Sequence, residues 1–334
     1  MEARQVHVKV CSVIALLLLI TSPAPSRGQE PELQVRPRVE LSLRSWLFTT
    51  GETQWSHNVS RLDPLFGNPT SKLTYKDNDT HIIELGGRLN FTRRAFFEAY
   101  GGFSVSFDRG RLVDDDFTAV GGQHLFSRTH SDVTGSGTQY VNLNIGFRAV
   151  DFPGSRGHLD VVGGFQYWRT EYEATGVSQV ICTPSGIPDV ACTPNLSLPG
   201  VLAITNTTHW ITPIQIGINT EYRVTHRVSV DLKASVSPAS IVLNDDIHHL
   251  RPDQLQQDPS FSMWGVGVGA NAGAGVKFLL TRNLALTGGY RVMWNRTYYG
   301  RWENHPIGGA SVNAPLTELQ TIRHGVIVGL SGSF

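Results

Sequence analysis

Cysteine and long apolar runs are both scarce in this 334-residue chain. Its three cysteines are too few for a small scaffold held by disulfides or for a cluster of thiolate metal ligands. Beyond the signal-like start, no apolar run reaches the ~18 to 20 residues that a membrane-spanning helix needs. Lys plus Arg and Asp plus Glu both number 28, so no excess positive charge is available to hold nucleic-acid phosphates. We therefore expect no nucleic-acid partner.

The beginning of the chain has the pattern of a secretory signal peptide. A basic start precedes the apolar stretch Val10–Ile20, and the small residues Ser26 and Gly28 suit a cleavage site. This predicts a signal peptide over residues 1–28 and an exported domain over residues 29–334. Two cysteines remain in that domain, Cys182 and Cys192, and export favours a local disulfide between them.

Apolar residues recur at every second position along most of the exported domain. In Val141–Ala149, for example, the odd positions are apolar and the even positions are polar or glycine. This spacing is typical of strands with two different faces. It fits either a water-soluble sandwich or barrel, or an outer-membrane barrel.

Three features favour the outer-membrane barrel. The polar partners are mostly small or charged, as in a polar barrel interior. Tryptophans gather near the strand ends, where membrane interfaces lie. Phe334 ends the chain in phase with the last strand, which resembles the assembly signal of bacterial outer-membrane proteins.

The links between the predicted strands alternate between short and long. Four short and five long links give ten strands, with both ends of the barrel domain on the periplasmic side. We therefore predict an all-β fold, a ten-stranded antiparallel transmembrane β-barrel with long extracellular loops. The lumen of so small a barrel is filled or nearly so, which disfavours a wide porin.

Residues with catalytic chemistry stand at two outer strand ends. The parity of the third predicted strand places Asp114 and Asp116 on the inner face, ~6.6 to 7 Å apart along the strand. Two carboxylates this close raise one another's pKa, so that one can hold a proton near neutral pH. A solvated acidic loop or a calcium site is the alternative for this spacing.

Asp246 and His248 follow the seventh predicted strand with the same spacing. An aspartate beside a histidine can orient the ring and stabilise its protonated form, making it a general base for water. The parity of residues 228–236 would turn this pair outward, unless a one-residue bulge at 238–240 reverses the faces. Outward positions for Ile241 and Leu243 fit such a bulge.

These two pairs are the only constellation of chemical interest in the sequence, which contains no Gly-x-Ser-x-Gly, His-Glu-x-x-His or P-loop motif. Their side chains have the chemistry needed to activate a water molecule and to stabilise a tetrahedral oxyanion. That is the chemistry of peptide hydrolysis without a covalent nucleophile, and no metal site is expected. The parity of the first strand also places Glu52 on the inner face.

With these residues in place, the chain resembles the omptin family of outer-membrane proteases over most of its mature length. LVDDDF is similar to the family's Val-Asp-x-Asp-Trp segment, and NDDIH is similar to its Asp-Asn-Asp-Glu-His segment. SKLTYKDNDTHIIELGGRLNF resembles its second strand, and THSD with the following VNLNIGF resembles the stretch after the paired aspartates. The resemblance implies that Asp246 orients His248, that His248 activates water, and that Asp114 and Asp116 bind that water or the oxyanion.

The resemblance also implies binding roles. Glu52 matches an acidic residue that binds a basic substrate side chain, whereas the second acid of that pocket is replaced by Asn244, which weakens the preference. Arg169 matches an outward arginine that binds lipopolysaccharide, which omptins need as an activator. We thus expect peptide or protein substrates, a monomer in the bacterial outer membrane with its site facing the exterior, and no other cofactor. The alternative is a catalytically silent barrel that acts as an adhesin or structural protein.

Overall fold

A computed structural model describes residues 38–334, which lie within one compact unit. The predicted signal peptide over residues 1–28 and the start of the predicted barrel domain lie outside the described residues. No helix among the described residues is long and apolar enough to span a membrane.

The described chain forms one closed antiparallel sheet, which confirms the all-β barrel predicted from the alternation. Neighbouring strands are paired in chain order, and the first strand pairs with the last. At that seam the Phe334 N–H donates to the Val39 carbonyl at 2.8 Å, and the Val39 N–H donates to the Phe334 carbonyl at 3.1 Å. The strands are β1 (Val39–His57), β2 (Phe66–Asn90), β3 (Ala95–Thr118), β4 (His124–Asp151), β5 (Gly157–Cys182), β6 (Ser197–Arg223), β7 (Val228–His248), β8 (Phe261–Leu279), β9 (Leu284–Asn304) and β10 (Asn313–Ser333).

The two ends of the barrel differ in their connections. The lower end holds the short links at 91–94, 152–156, 224–227 and 280–283, together with Val39 and Phe334. The upper end holds the other five links, at 58–65, 119–123, 183–196, 249–260 and 305–312, and all of these except 119–123 are longer than the lower ones. Cys182, the last residue of β5, forms a disulfide with Cys192 inside the third of these upper links, as predicted.

Around the lower half, apolar side chains point outward and polar side chains point inward. Ile145 is 69% exposed, whereas its neighbour Asn144 is 5% exposed. Several of the inward charges are paired, which offsets the cost of removing them from water. Glu84, for example, accepts hydrogen bonds from Tyr140 at 2.6 Å and Arg291 at 2.5 Å. These side chains fill much of the lumen.

The strands extend farther toward the upper end than the sequence pattern predicts. One of the five predicted long links is short, because β3 continues to Thr118, β4 begins at His124, and only residues 119–123 connect them. Above the apolar belt both faces of a hairpin meet polar surroundings, so the inside–outside alternation fades. The backbone ladder needs no apolar side chains and continues regardless.

Candidate active site

A bulge in β7 turns Asp246 and His248 toward the lumen. The register of β7 against β8 shifts between Ser237 and Ser240. Before the shift Val236 is 61% exposed, and after it Asp246 is fully buried. One extra residue reverses the two faces of a strand. The bulge predicted at 238–240 is therefore confirmed.

The Asp246 carboxylate is held from three directions. His248 Nε2 lies 2.9 Å from Asp246 Oδ2, and Asn206 Nδ2 donates to Oδ1 at 3.0 Å. The Tyr75 hydroxyl lies 3.5 Å from the same Oδ1 atom, and the Ser260 hydroxyl accepts from the backbone N–H of His248 at 3.0 Å. The aspartate and the imidazole are thus fixed in one orientation, with Nδ1 left as the ring nitrogen for proton transfer.

Asn206 and Tyr75 were not singled out by the sequence analysis. Asn206 lies on β6 directly opposite Asp246 in the ladder, and Tyr75 reaches Asp246 from β2. The strand pairing of β6 with β7 predicts the first contact once the register is known. The second crosses the barrel between residues 171 positions apart, so no local pattern indicates it.

Asp114 and Asp116 lie on the inner face of β3. They are paired with Leu73 and Ser71 of β2, and the Ser71 hydroxyl lies 3.5 Å from Asp114 Oδ1. Asp115, between them, points to the other face, where it accepts two hydrogen bonds from Arg128 at 2.6 and 2.9 Å. The three consecutive aspartates therefore divide into an inward pair and an outward ion pair.

The inward pair, Asp114 and Asp116, interacts electrostatically with Asp246 and His248, which we call the dyad. Burial between the walls raises the pKa of Asp114 well above its ordinary value, and the charges of Asp116 and Asp246 raise it further. Burial also raises the pKa of Asp116, opposed by Arg251 and His248. The structure thus brings both predicted pairs together across the mouth of the barrel, and the aspartate pair retains a proton to higher pH than an isolated carboxyl.

An aromatic stack supports His248 from the side. The imidazole meets the edge of Phe261 at 4.7 Å, Phe261 stacks on Trp302 at 5.2 Å, and Trp302 stacks on His57 at 4.0 Å between ring centroids. Burial lowers the pKa of His57 to about 3, so its ring is neutral at physiological pH. This stack fixes the wall of the mouth beside the dyad.

Glu52 does not face the lumen, and the inward placement predicted for it is wrong. The register of β1 shifts between Leu47 and Thr50 against β10, so that the odd positions face inward above it. The hydroxyl of Thr53 accordingly lies 3.2 Å from the Tyr172 hydroxyl inside the barrel. Because successive strand residues point to opposite faces, Glu52 lies on the outer face.

Asn244 faces inward as predicted, one inward position below Asp246. Its amide donates to Asn206 Oδ1 at 3.0 Å and to the Thr208 hydroxyl at 2.7 Å, and its Oδ1 accepts from Asn206 at 3.2 Å. It is 1% exposed. Its polar atoms are therefore engaged within the wall.

Arg169 lies on the outer face of β5, in agreement with its predicted parity. Its guanidinium is paired with Glu171, which also accepts a hydrogen bond from Thr207 at 3.3 Å. The hydroxyl of Tyr167, on the same face, lies 2.8 Å from His209 Nδ1.

Among residues 38–334, no group of three or more His, Cys, Asp or Glu side chains is arranged to hold a metal ion.

The barrel and its mouth can be compared with solved structures. The outer membrane protease OmpT from Escherichia coli superposes with a TM-score of 0.72, covering 92% of this chain and 99% of that one. The chain shares its fold with this protease. The two sequences are 14% identical, so the likeness concerns the fold alone.

Other barrels also match at much lower similarity. They include the translocator domain of the autotransporter NalP from Neisseria meningitidis, with 9% identity, 91% coverage of each chain and a TM-score of 0.37. The Pseudomonas putida toluene transporter TodX has 10% identity, 90% coverage of each chain and a TM-score of 0.30. At the level of sequence, no protein family and no curated protein matches the chain.

Proposed function

We propose that the chain is an omptin-like endopeptidase of the bacterial outer membrane, with ten transmembrane strands and an active site that faces the cell exterior. The observation that carries this proposal is the hydrogen-bonded Asp246–His248 dyad opposite the Asp114–Asp116 pair. The likeness of the fold to OmpT supports it. A hydrogen-bonded Asp–His dyad that faces a carboxyl pair with a pKa raised by burial has the groups expected of a hydrolytic site.

The mechanism follows from the positions of these groups. His248 Nδ1 accepts a proton from a water as the water oxygen attacks the peptide carbonyl carbon, and Asp246 stabilises the resulting imidazolium. The protonated member of the Asp114–Asp116 pair donates a hydrogen bond to the developing oxyanion. His248 then delivers its proton to the departing nitrogen as the C–N bond breaks, which regenerates the neutral imidazole.

The membrane position rests on the apolar outer surface of the lower half. Exposed side chains there include Leu43 (53%), Leu85 (60%) and Ile216 (54%), a surface suited to lipid rather than water. The upper half, with the dyad, then stands outside the membrane. We further propose that Arg169 binds an anionic group of lipopolysaccharide, which acts as an activator, and that the protein works as a monomer.

Peptide hydrolysis by the refolded barrel in lipopolysaccharide-containing micelles tests the proposed function. A mixed peptide library is incubated with the wild type, with His248→Ala, and with His226→Ala, an exposed histidine in a lower turn that serves as the matched control. We expect cleavage products, read by mass spectrometry, from the wild type and the control but not from His248→Ala. A folded barrel that cleaves no peptide would instead favour the silent adhesin or structural protein.

A further inference from the structure

A cavity of about 220 Å³ lies in the lower half of the lumen, far from the dyad. Above it, Trp46 and Tyr140 are at most 2% exposed and close the lumen toward the mouth. Below, the cavity reaches the lower rim, where Glu221 and Lys277 line it. A space of this size holds several waters or a small organic molecule. In the orientation proposed above, it is entered from the periplasm.

Glycines on one wall leave room for this cavity. Gly273, Gly275 and Gly289, on β8 and β9, all line it. A Cβ at Gly275 would come within 2.7 Å of Oδ1 of Asp231, so this carboxylate lies directly over the glycine. A Cβ at Gly273 would meet nothing closer than 3.5 Å. The wall at Gly273 is therefore open to the cavity.

The inner end of the cavity has an excess of positive charge. Three cationic groups surround the ring of Tyr100, with distances to its centroid of 5.8, 5.1 and 5.9 Å for Arg44, Arg291 and Lys233. Only two acids pair with them, because Glu84 is shared by both arginines and Glu98 pairs with the lysine. The lysine side chain is 35% exposed, so a molecule in the cavity can contact it.

The outer end of the cavity has an excess of negative charge. Asp231 of β7 lies directly opposite Glu221 of β6 in the ladder, and like charges in this position are destabilising. Lys277 lies 3.6 Å from Glu221, and Glu40 adds a further acid to the lining. Among the residues that the structure describes, no lysine or arginine forms an ion pair with Asp231. Its half-buried carboxylate is therefore available to a ligand.

We propose that this cavity binds a small zwitterion about as long as a dipeptide, with its carboxylate toward Lys233 and Arg291 and its ammonium toward Asp231. A ligand with one charge of each sign matches both ends of the cavity, whereas a purely anionic or cationic molecule matches one. Lys233 and Asp231 are successive inward residues of β7, ~6.6 to 7 Å apart. Two extended peptide residues span about 7 Å, so a dipeptide bridges the two ends. The site is independent of the endopeptidase function proposed above.

Titration calorimetry with glycylglycine tests the site, in the refolded His248→Ala barrel so that hydrolysis cannot interfere. N-acetylglycylglycine lacks the ammonium group and glycylglycinamide lacks the carboxylate, while both keep the peptide backbone. Because each loses a hydrogen bond between charged groups, we expect each to bind about tenfold more weakly than glycylglycine. Full affinity for either analogue, or no binding of glycylglycine, would overturn the proposal.

Variants of the lining locate the bound dipeptide. Asp231→Asn keeps the shape of the side chain and relieves the repulsion with Glu221, and it should weaken glycylglycine binding about tenfold. Asp253→Asn, at an exposed position of an upper link, is the matched control and should not change the affinity.

A steric variant tests the same cavity without altering any charge. Gly273→Val places a side chain in the cavity from a wall position that has room for a Cβ, and it should abolish binding. Ala272→Val, at the neighbouring outward position, should retain it. Heat modifiability verifies that each barrel is folded. Full affinity in a folded Asp231→Asn or Gly273→Val barrel would contradict the proposal, because the dipeptide would then bind elsewhere.

Discussion

Asn206 Nδ2 donates a hydrogen bond to Oδ1 of Asp246 at 3.0 Å, while the other oxygen of the same carboxylate bonds His248. Asn206 therefore holds the aspartate in the rotamer that orients the imidazole. Both side chains are fully buried, and a hydrogen bond is stronger in such low-dielectric surroundings than in water.

Replacing Asn206 with Ala should reduce activity through the dyad. A hydrogen bond to a charged group contributes about 1.5–3 kcal/mol, so we expect kcat/KM to fall by roughly tenfold to a hundredfold. Steady-state kinetics of peptide cleavage measure the effect, with Asn283→Ala, in an exposed lower turn, as control. An unchanged kcat/KM in Asn206→Ala would show that Asn206 does not position the dyad.

Asp114→Asn should separate activity from stability. The folded pKa of Asp114 is raised by burial, so the folded state holds a proton more tightly than the unfolded state. That stabilisation is complete below the unfolded pKa and disappears as the pH rises through the folded value. The variant should therefore raise the thermal midpoint relative to wild type more at pH 8 than at pH 4, while activity falls about a hundredfold or more. A midpoint difference that does not depend on pH would contradict the assignment.

His57 should make the barrel sensitive to acid. Burial lowers its folded pKa from 6.5 to about 3, so below pH 6.5 the unfolded chain takes up a proton that the folded chain refuses. Stability is complete above pH 6.5 and falls toward pH 3, by about 2 kcal/mol between pH 6.5 and 5. His57→Phe keeps an aromatic ring on Trp302 but does not titrate.

Denaturant unfolding at pH 7 and pH 5 measures the effect of His57. The wild type should lose more stability than His57→Phe over this interval. His226→Phe, at an exposed position, should behave as the wild type. Equal losses in all three proteins would refute the buried neutral state of His57.

The disulfide should stabilise the upper end of β3. The loop that follows Cys182 packs there, with the Thr118 hydroxyl donating to the Ser185 carbonyl at 2.7 Å. Mass analysis of unreduced peptides should find Cys182 linked to Cys192, and free thiols would contradict this. In a Cys182→Ser and Cys192→Ser double variant, a limited protease should cut residues 183–196 faster, because closing a loop of this size contributes about 2–3 kcal/mol.

Arg169→Ala should weaken activation by lipopolysaccharide without altering peptide cleavage at saturating lipid. The test is a titration of activity against lipopolysaccharide, in which the half-maximal concentration should rise about tenfold. Arg109→Ala removes an exposed arginine that is likewise paired with an acid, Asp79, at 2.8 Å, and should leave the titration unchanged. An unchanged titration in Arg169→Ala would show that Arg169 does not bind lipopolysaccharide.

The sequence predicted the barrel because its lower half separates two solvents. Positions such as Val141 and Leu143 alternate with polar residues, so the sequence of each strand indicates which of its faces points outward and which points into the lumen. The same logic located the bulge in β7, since Ile241 and Leu243 require an outward face that Val236 also occupies. Asp246 and His248 could therefore be placed before the structure was known.

The predicted inward position of Glu52 was wrong because the sequence around it lacks this alternation. Residues 49–53, Thr-Thr-Gly-Glu-Thr, contain no apolar side chain that would mark one face, so the shift in β1 left no trace in the pattern. The upper extensions of β3 and β4 were missed for a related reason, because neither face of those hairpins is apolar. Contacts across the barrel, such as Tyr75 with Asp246, depend on closure and cannot be inferred from strands one at a time.

The shift between Ser237 and Ser240 also bears on how such barrels diverge. Deleting one residue there would restore regular alternation, turning Asp246 and His248 toward the outer surface while leaving the lower half of β7 unaltered. The barrel would still close, since its seam and apolar belt lie elsewhere. In genetic terms, deletion of a single codon would convert a barrel with an inward dyad into one without it. Such a barrel could lose its catalytic residues from the lumen and still fold.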